Sequence, residues 1–96
     1  GVYPNPSSVG FFFNFELTGN KLPDEFLIEI ISPTGQLVTR FGIEDIYQFY
    51  IGNNEIFWNG NDTTGKTLTN GVYLYRLHIK ANDKESVNTG RLVWIR

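Results

Sequence analysis

The longest alternating run in the chain lies between Val72 and Ala81. Tyr73, Tyr75, Leu77 and Ile79 fall on one side, and Arg76, His78 and Lys80 on the other. A period of two is that of a strand with one face buried. A second alternation runs through Gly10–Leu17, where Phe11, Phe13, Phe15 and Leu17 oppose Phe12, Asn14 and Glu16. The first set is predicted to face the core. Phe26 to Ser32 is apolar on nearly both faces, the pattern of a central strand.

Turn residues punctuate these runs. Pro33-Thr34-Gly35 predicts a tight turn, with a returning strand over Gln36–Phe41 and hence a hairpin. Glu55–Trp58 and Gly90–Ile95 read as further strands. Pro4 and Pro6 make Gly1–Ser8 an edge strand or lead-in rather than a central strand. Thr18–Glu25, with Gly19, Asn20 and Pro23, reads as a polar loop, as do Asn59–Asn70 and Asn82–Asn88. Gly60, Gly65 and Gly71 are expected where the backbone needs positive φ. Gly42–Asn54 is ambiguous between a strand and a short helical turn running into a strand. The sum is about seven short strands with turn signals every 8–12 residues or so and no convincing helix. It predicts an all-β fold, an Ig-like antiparallel β-sandwich, as one domain over residues 1–96 without repeats or linkers.

Composition narrows the function. The chain has 96 residues, and 16% are aromatic, which compensates for the modest core of so small a domain. Eight Lys and Arg against ten Asp and Glu leave no basic field for a nucleic-acid backbone or an anionic membrane. With no Cys, disulfides, thiolate metal sites and Cys nucleophiles are excluded. No apolar run has the length of a membrane span and no signal peptide is recognisable. There is also no Met, and the chain reads as a piece of a longer protein, with Gly1 as a cloning remnant.

Candidate chemistry is sparse. His78 is the only His, and no nucleophile or orienting acid is patterned around it, so it reads as a solvent-facing strand residue. Asn59, Asn61 and Asp62 are closely spaced oxygen donors. Asp62 is the one carboxylate among them, which favours Asx turns over calcium. Asp24-Glu25 and Glu44-Asp45 are adjacent pairs, unlike the separated carboxylates of a glycosidase, and read as solvated loop charge. Trp58 and Trp94 could stack on sugars, but both lie in apolar strands and are expected in the core. Phe12, Tyr50 and Leu74 are candidates for an exposed apolar patch, Phe12 and Leu74 being out of phase with the core sets of their strands. The expectation is no catalytic residue, no metal and no cofactor, and no small-molecule substrate.

Several stretches carry a family resemblance over about Tyr3–Ile95. Tyr3-Pro4-Asn5-Pro6 resembles the opening of C-terminal modules of type IX secretion cargo, and Pro33-Thr34-Gly35 with Leu37-Val38 resembles their central turn. Asn70-Gly71-Val72-Tyr73-Leu74-Tyr75-Arg76-Leu77 is similar to a strand that these modules share with the Ig-like domain of the flagellar hook-capping protein. The Trp58–Leu68 loop is similar to a loop of that second group. Within the type IX group, the first long loop and the Asn70–Leu77 strand look most like the C-terminal module of the gingipain-family (C25) sortase. Two departures stand out. Asn59 occupies the family's first loop Asp, and Arg91 stands where many sorting modules carry Lys before the last apolar strand.

The resemblance implies a non-catalytic C-terminal module of a secreted or cell-surface protein that passes through the periplasm. Its partners would be the secretion or outer-membrane attachment machinery and the rest of its parent chain. Recognition would involve Gly71, Tyr73, Arg76, Arg91 and Val93, with a role in folding alone as the alternative for the first two. Strand edges at Tyr3–Ser8 and Gly90–Ile95 are further recognition candidates, although the prolines would blunt the first. The alternatives are a structural or assembly module like the hook-capping domain, and a carbohydrate-binding module.

Overall fold

The computed structural model describes residues 1–19 and 21–96. Asn20, within the first predicted loop, lies outside the described residues. The strands are β1 (Val2–Tyr3), β2 (Phe11–Leu17), β3 (Glu25–Ile31), β4 (Leu37–Gly42), β5 (Gly52–Trp58), β6 (Gly71–Ala81) and β7 (Lys84–Trp94). They form two antiparallel sheets, ordered β1-β2-β5 and β4-β3-β6-β7. The described residues therefore form a seven-stranded all-β sandwich. Its strand order is that of an immunoglobulin-like fold whose fourth strand has joined the opposite sheet.

The alternating runs put their apolar sets between the sheets. Phe11, Phe13, Phe15 and Leu17 from β2 meet Tyr73, Leu77 and Ile79 from β6, with Phe26, Ile28 and Ile30 of β3 beside them. Trp58 and Trp94 close one end of this core and flank Phe11, each with its ring centroid 6.0 Å away. Both indoles are buried, as expected. Trp58 donates its indole N–H to the carbonyl of Asn61 at 2.8 Å. The Trp94 N–H is buried without a protein partner among the described residues. An unsatisfied donor costs about 1–3 kcal/mol, whereas burying an indole contributes about 4–6 kcal/mol at ordinary transfer values. Ring burial therefore wins.

Two spans differ from expectation. Asn82–Asn88 is not a loop. Only Asn82 and Asp83 turn, with φ of 55° and 62°, and β7 starts at Lys84. Positive φ at both central residues is the type I′ geometry, whose twist matches that of the flanking strands. The first half of β7 is exposed on both faces and so carries no alternation to read. Similarly, β5 begins at Gly52 rather than Glu55. Gly42–Ile51 takes the second form expected of it. Ile43–Asp45 is a 3₁₀ turn in which Asp45 accepts the Gly42 amide at 2.8 Å. Phe49 then packs against Phe15 and Phe26, and the buried Asn54 side chain bonds both the amide and the carbonyl of Tyr50.

The lead-in crosses between the sheets. β1 pairs with β2, and the chain then passes over to the free edge of β7. There the Asn5 side chain accepts from the Val93 amide at 2.8 Å and donates to the Arg91 carbonyl at 2.7 Å. Ser7 continues the contact, donating its amide to Val93 and accepting from Ile95, both at 2.9 Å. The two edges named as recognition candidates thus partly cover one another.

Candidate recognition surface

The Asn59–Asn70 loop is built to hold β6 in place. Asp62 Oδ1 accepts from the Thr64 amide, the Thr64 hydroxyl and the Lys66 amide. The Thr64 hydroxyl, followed by these amides and the nearby Lys66 charge, holds the Asp62 carboxyl below its ordinary value. Asn59 Oδ1 accepts from Asn61, and Asn61 Oδ1 from Thr67. The Asn59–Asn61 and Asp62–Thr64 bonds are Asx-type turns, as the residue types predict, and the Asn61–Thr67 bond ties the loop across its width. Gly60 and Gly65 have φ of 81° and 87°, also as expected. Gly71 does not. It is an ordinary strand residue, and a Cβ there would find its nearest neighbour, the Tyr73 ring, at 3.8 Å.

The five predicted recognition residues separate by strand parity. Tyr73 points inward and is buried, and its hydroxyl donates to the Thr69 carbonyl at 2.7 Å. A tyrosine at the start of the sixth strand that bonds backbone a few residues upstream is the tyrosine corner of immunoglobulin-like sandwiches. Its role is to fix the corner. Gly71 shares that inward parity. Arg76, Arg91 and Val93 all face outward from the four-stranded sheet.

Cross-strand register defines what surrounds them. Arg91 lies opposite Leu74, Leu74 opposite Ile31 and Ile31 opposite Leu37, so one row crosses all four strands. Val93 lies opposite Val72 in the next row towards the end of the sheet. Leu74 is 50% exposed and Val72 47%. On the other flank, Arg76 reaches Glu29 at 3.9 Å, and Arg40 is paired in register with Glu29 from β4. The result is a short apolar strip bordered by arginines. Farther along the sheet, His78 bonds Glu85 through Nε2, so it is paired rather than simply solvated.

The other apolar candidates do not join this strip. Phe12 lies on the outer face of the opposite sheet, stacked on Tyr3 at 5.4 Å and tilted against Phe57 at 4.9 Å. There the Tyr3 hydroxyl donates to Glu55, and this bond, with some burial and the Glu55 charge, raises the phenol pKa. Tyr50 is on a separate loop. The expected common patch of Phe12, Tyr50 and Leu74 is therefore absent, because β2 and β6 present opposite outer faces. Sequence reasoning missed Val72, Ile31 and Leu37. Their signal was an apolar residue in the solvent-facing register of a strand.

Of the acidic pairs, expected as solvated loop charge, Asp24 lies just before β3 and Glu25 is its first residue, while Glu44 and Asp45 are in the 3₁₀ turn, where Asp45 accepts the Gly42 amide. Asp24 and Glu25 are exposed, and Glu44 reaches Arg40 at 3.9 Å. Among the described residues no group of three or more His, Cys, Asp or Glu is placed to hold a metal. Nor is any helix among them long and apolar enough to cross a membrane. Set against known proteins, the chain matches no family model and no curated protein.

Proposed function

We propose that this chain is a non-catalytic C-terminal module of a secreted or cell-surface protein, recognised by the type IX secretion or outer-membrane attachment machinery. The observation that carries the reading is the convergence of Arg76, Arg91 and Val93 with Leu74 and Val72 on one exposed sheet face. Contiguous exposed apolar surface bordered by polar groups marks protein interfaces, and arginine is enriched in them. The sequence resemblance supplies the identity of the machinery. In this reading Tyr73 serves the fold, Gly71 is an ordinary strand residue, and Arg76, Arg91 and Val93 meet the partner. The test is to fuse residues 1–96 to a signal peptide and a periplasmic reporter in cells with and without the type IX machinery. Reporter at the surface or in the medium only when the machinery is present supports the proposal. Reporter held in the periplasm in both overturns it.

A second reading, an assembly module like the hook-capping domain, is favoured by one observation. The Asn59–Asn70 loop is tied by its own side chains and seated on Trp94 through Gly60, which suits a rigid spacer. Export of the parent after deletion of the domain would favour this reading over a sorting signal.

A further inference from the structure

Among the described residues, the free edge of β7 is only half covered. Residues of odd number in this strand turn their backbone N–H and C=O away from β6, as the contacts of Arg91 and Val93 with Asn5 and Ser7 show. The β6–β7 register runs unbroken to Lys84. The same parity therefore turns the backbone groups of Glu85, Val87 and Thr89 to the outside. β7 is the last strand of its sheet, and these residues are exposed. The uncovered stretch is bounded by the Asn82–Asp83 turn at one end and by Asn5 on Arg91 at the other. Its centre is Val87.

An antiparallel pairing of this edge with a copy of itself about Val87 is self-complementary. It sets Glu85 opposite Thr89 of the copy, and three narrow pairs exchange about six backbone hydrogen bonds. Glu85, Val87, Thr89 and Arg91 share the outer face, so each Arg91 lies diagonally from Glu85 of the copy across the two-fold axis. Among the described residues Arg91 makes no ion pair within the chain, while Glu85 holds His78 on the same face. Moving the axis to Thr89 sets Glu85 against Val93, whose amide Asn5 already holds. Moving it to Glu85 puts two carboxylates face to face, which is unfavourable.

We infer that a second copy of this chain pairs along the Glu85–Thr89 edge of β7, joining the two four-stranded sheets into one continuous sheet. The inference is independent of the export reading. Sedimentation velocity on the 1–96 chain, from micromolar to millimolar, tests it. The expected result is a concentration-dependent dimer. Val87→Pro, at an edge position whose N–H faces outward and where proline is tolerated, is expected to leave a folded monomer. Arg91→Glu is expected to weaken the dimer at least several-fold, and Arg91→Glu with Glu85→Arg to restore it. Amide exchange on the unmodified chain provides a readout that needs no variant, since Val87 is expected to gain protection as concentration rises. A monomer at every concentration overturns the inference. So does a dimer that survives Val87→Pro, or one that forms without protecting Val87.

Discussion

The ring of Trp94 rests on Gly60. A Cβ at Gly60 would lie 2.5 Å from Cη2 and Cζ3 of the indole, and the residue has a φ of 81°. Both facts demand glycine. Gly60→Ala is expected to cost about 2–4 kcal/mol, the sum of overpacking and left-handed strain. Gly71→Ala, where strand backbone and open space accept a methyl group, should stay within about 0.5 kcal/mol of the original. Urea denaturation of both variants checks the contrast. Equal losses would contradict it.

Asn5 acts as a one-residue strand on the edge of β7, bonding Val93 and Arg91. Asn5→Ala removes both bonds and leaves an amide and a carbonyl to water. The expected loss is about 1–2 kcal/mol. Amide exchange should locate it, with faster exchange at Val93 and little change at Ile28 in the centre of the other hairpin.

Tyr73 combines core packing with the Thr69 bond, and the two can be separated. Tyr73→Phe keeps the ring and loses the hydroxyl, at an expected cost of about 1–2 kcal/mol. Tyr73→Ala loses both, at about 3–5 kcal/mol by analogy with other buried aromatics. Chemical denaturation midpoints measure the difference. A Phe variant as stable as the original would mean that the corner bond contributes nothing net.

Asp62 gives the loop a pH dependence in the acid range. Its pKa in the folded chain is lowered, chiefly by the Thr64 hydroxyl. The unfolded chain therefore binds the proton more readily. The contribution to stability is present above the ordinary carboxylate pKa and is lost as pH falls through the lowered folded value. Carboxyl carbon shifts should show Asp62 titrating at lower pH in the folded chain than in a peptide of the same loop. Asp62→Asn should abolish that dependence.

What could be read in the sequence depended on burial. β2 and β6 are each covered on one face, so Phe11–Leu17 and Tyr73–Ile79 announced themselves by alternation, and the sandwich followed. The first half of β7 has no covered face, so Lys84–Asn88 looked like a loop although its pairing with β6 is unbroken. Gly60 and Gly71 are identical letters in similar turn-rich contexts. Only the position of Trp94 separates the close contact from the ordinary strand residue. Of the recognition set, Arg76, Arg91 and Val93 share a face because parity places them there. Tyr73 belongs to the inward face by the same rule, and its motif reports the corner. The cover that Asn5 and Ser7 give to β7 was hidden, because it depends on the chain crossing from one sheet to the other.

The measurement that bears most directly on the recognition surface is export of the reporter fusion carrying Leu74→Asp. Leu74 is half exposed at the centre of the strip, so the substitution should leave the denaturation midpoint nearly unchanged. The account predicts a folded module whose reporter stays in the periplasm while the unsubstituted fusion reaches the surface through the type IX machinery. Export of the Leu74→Asp fusion at the unsubstituted level would contradict the assignment of this face as the surface that the machinery reads.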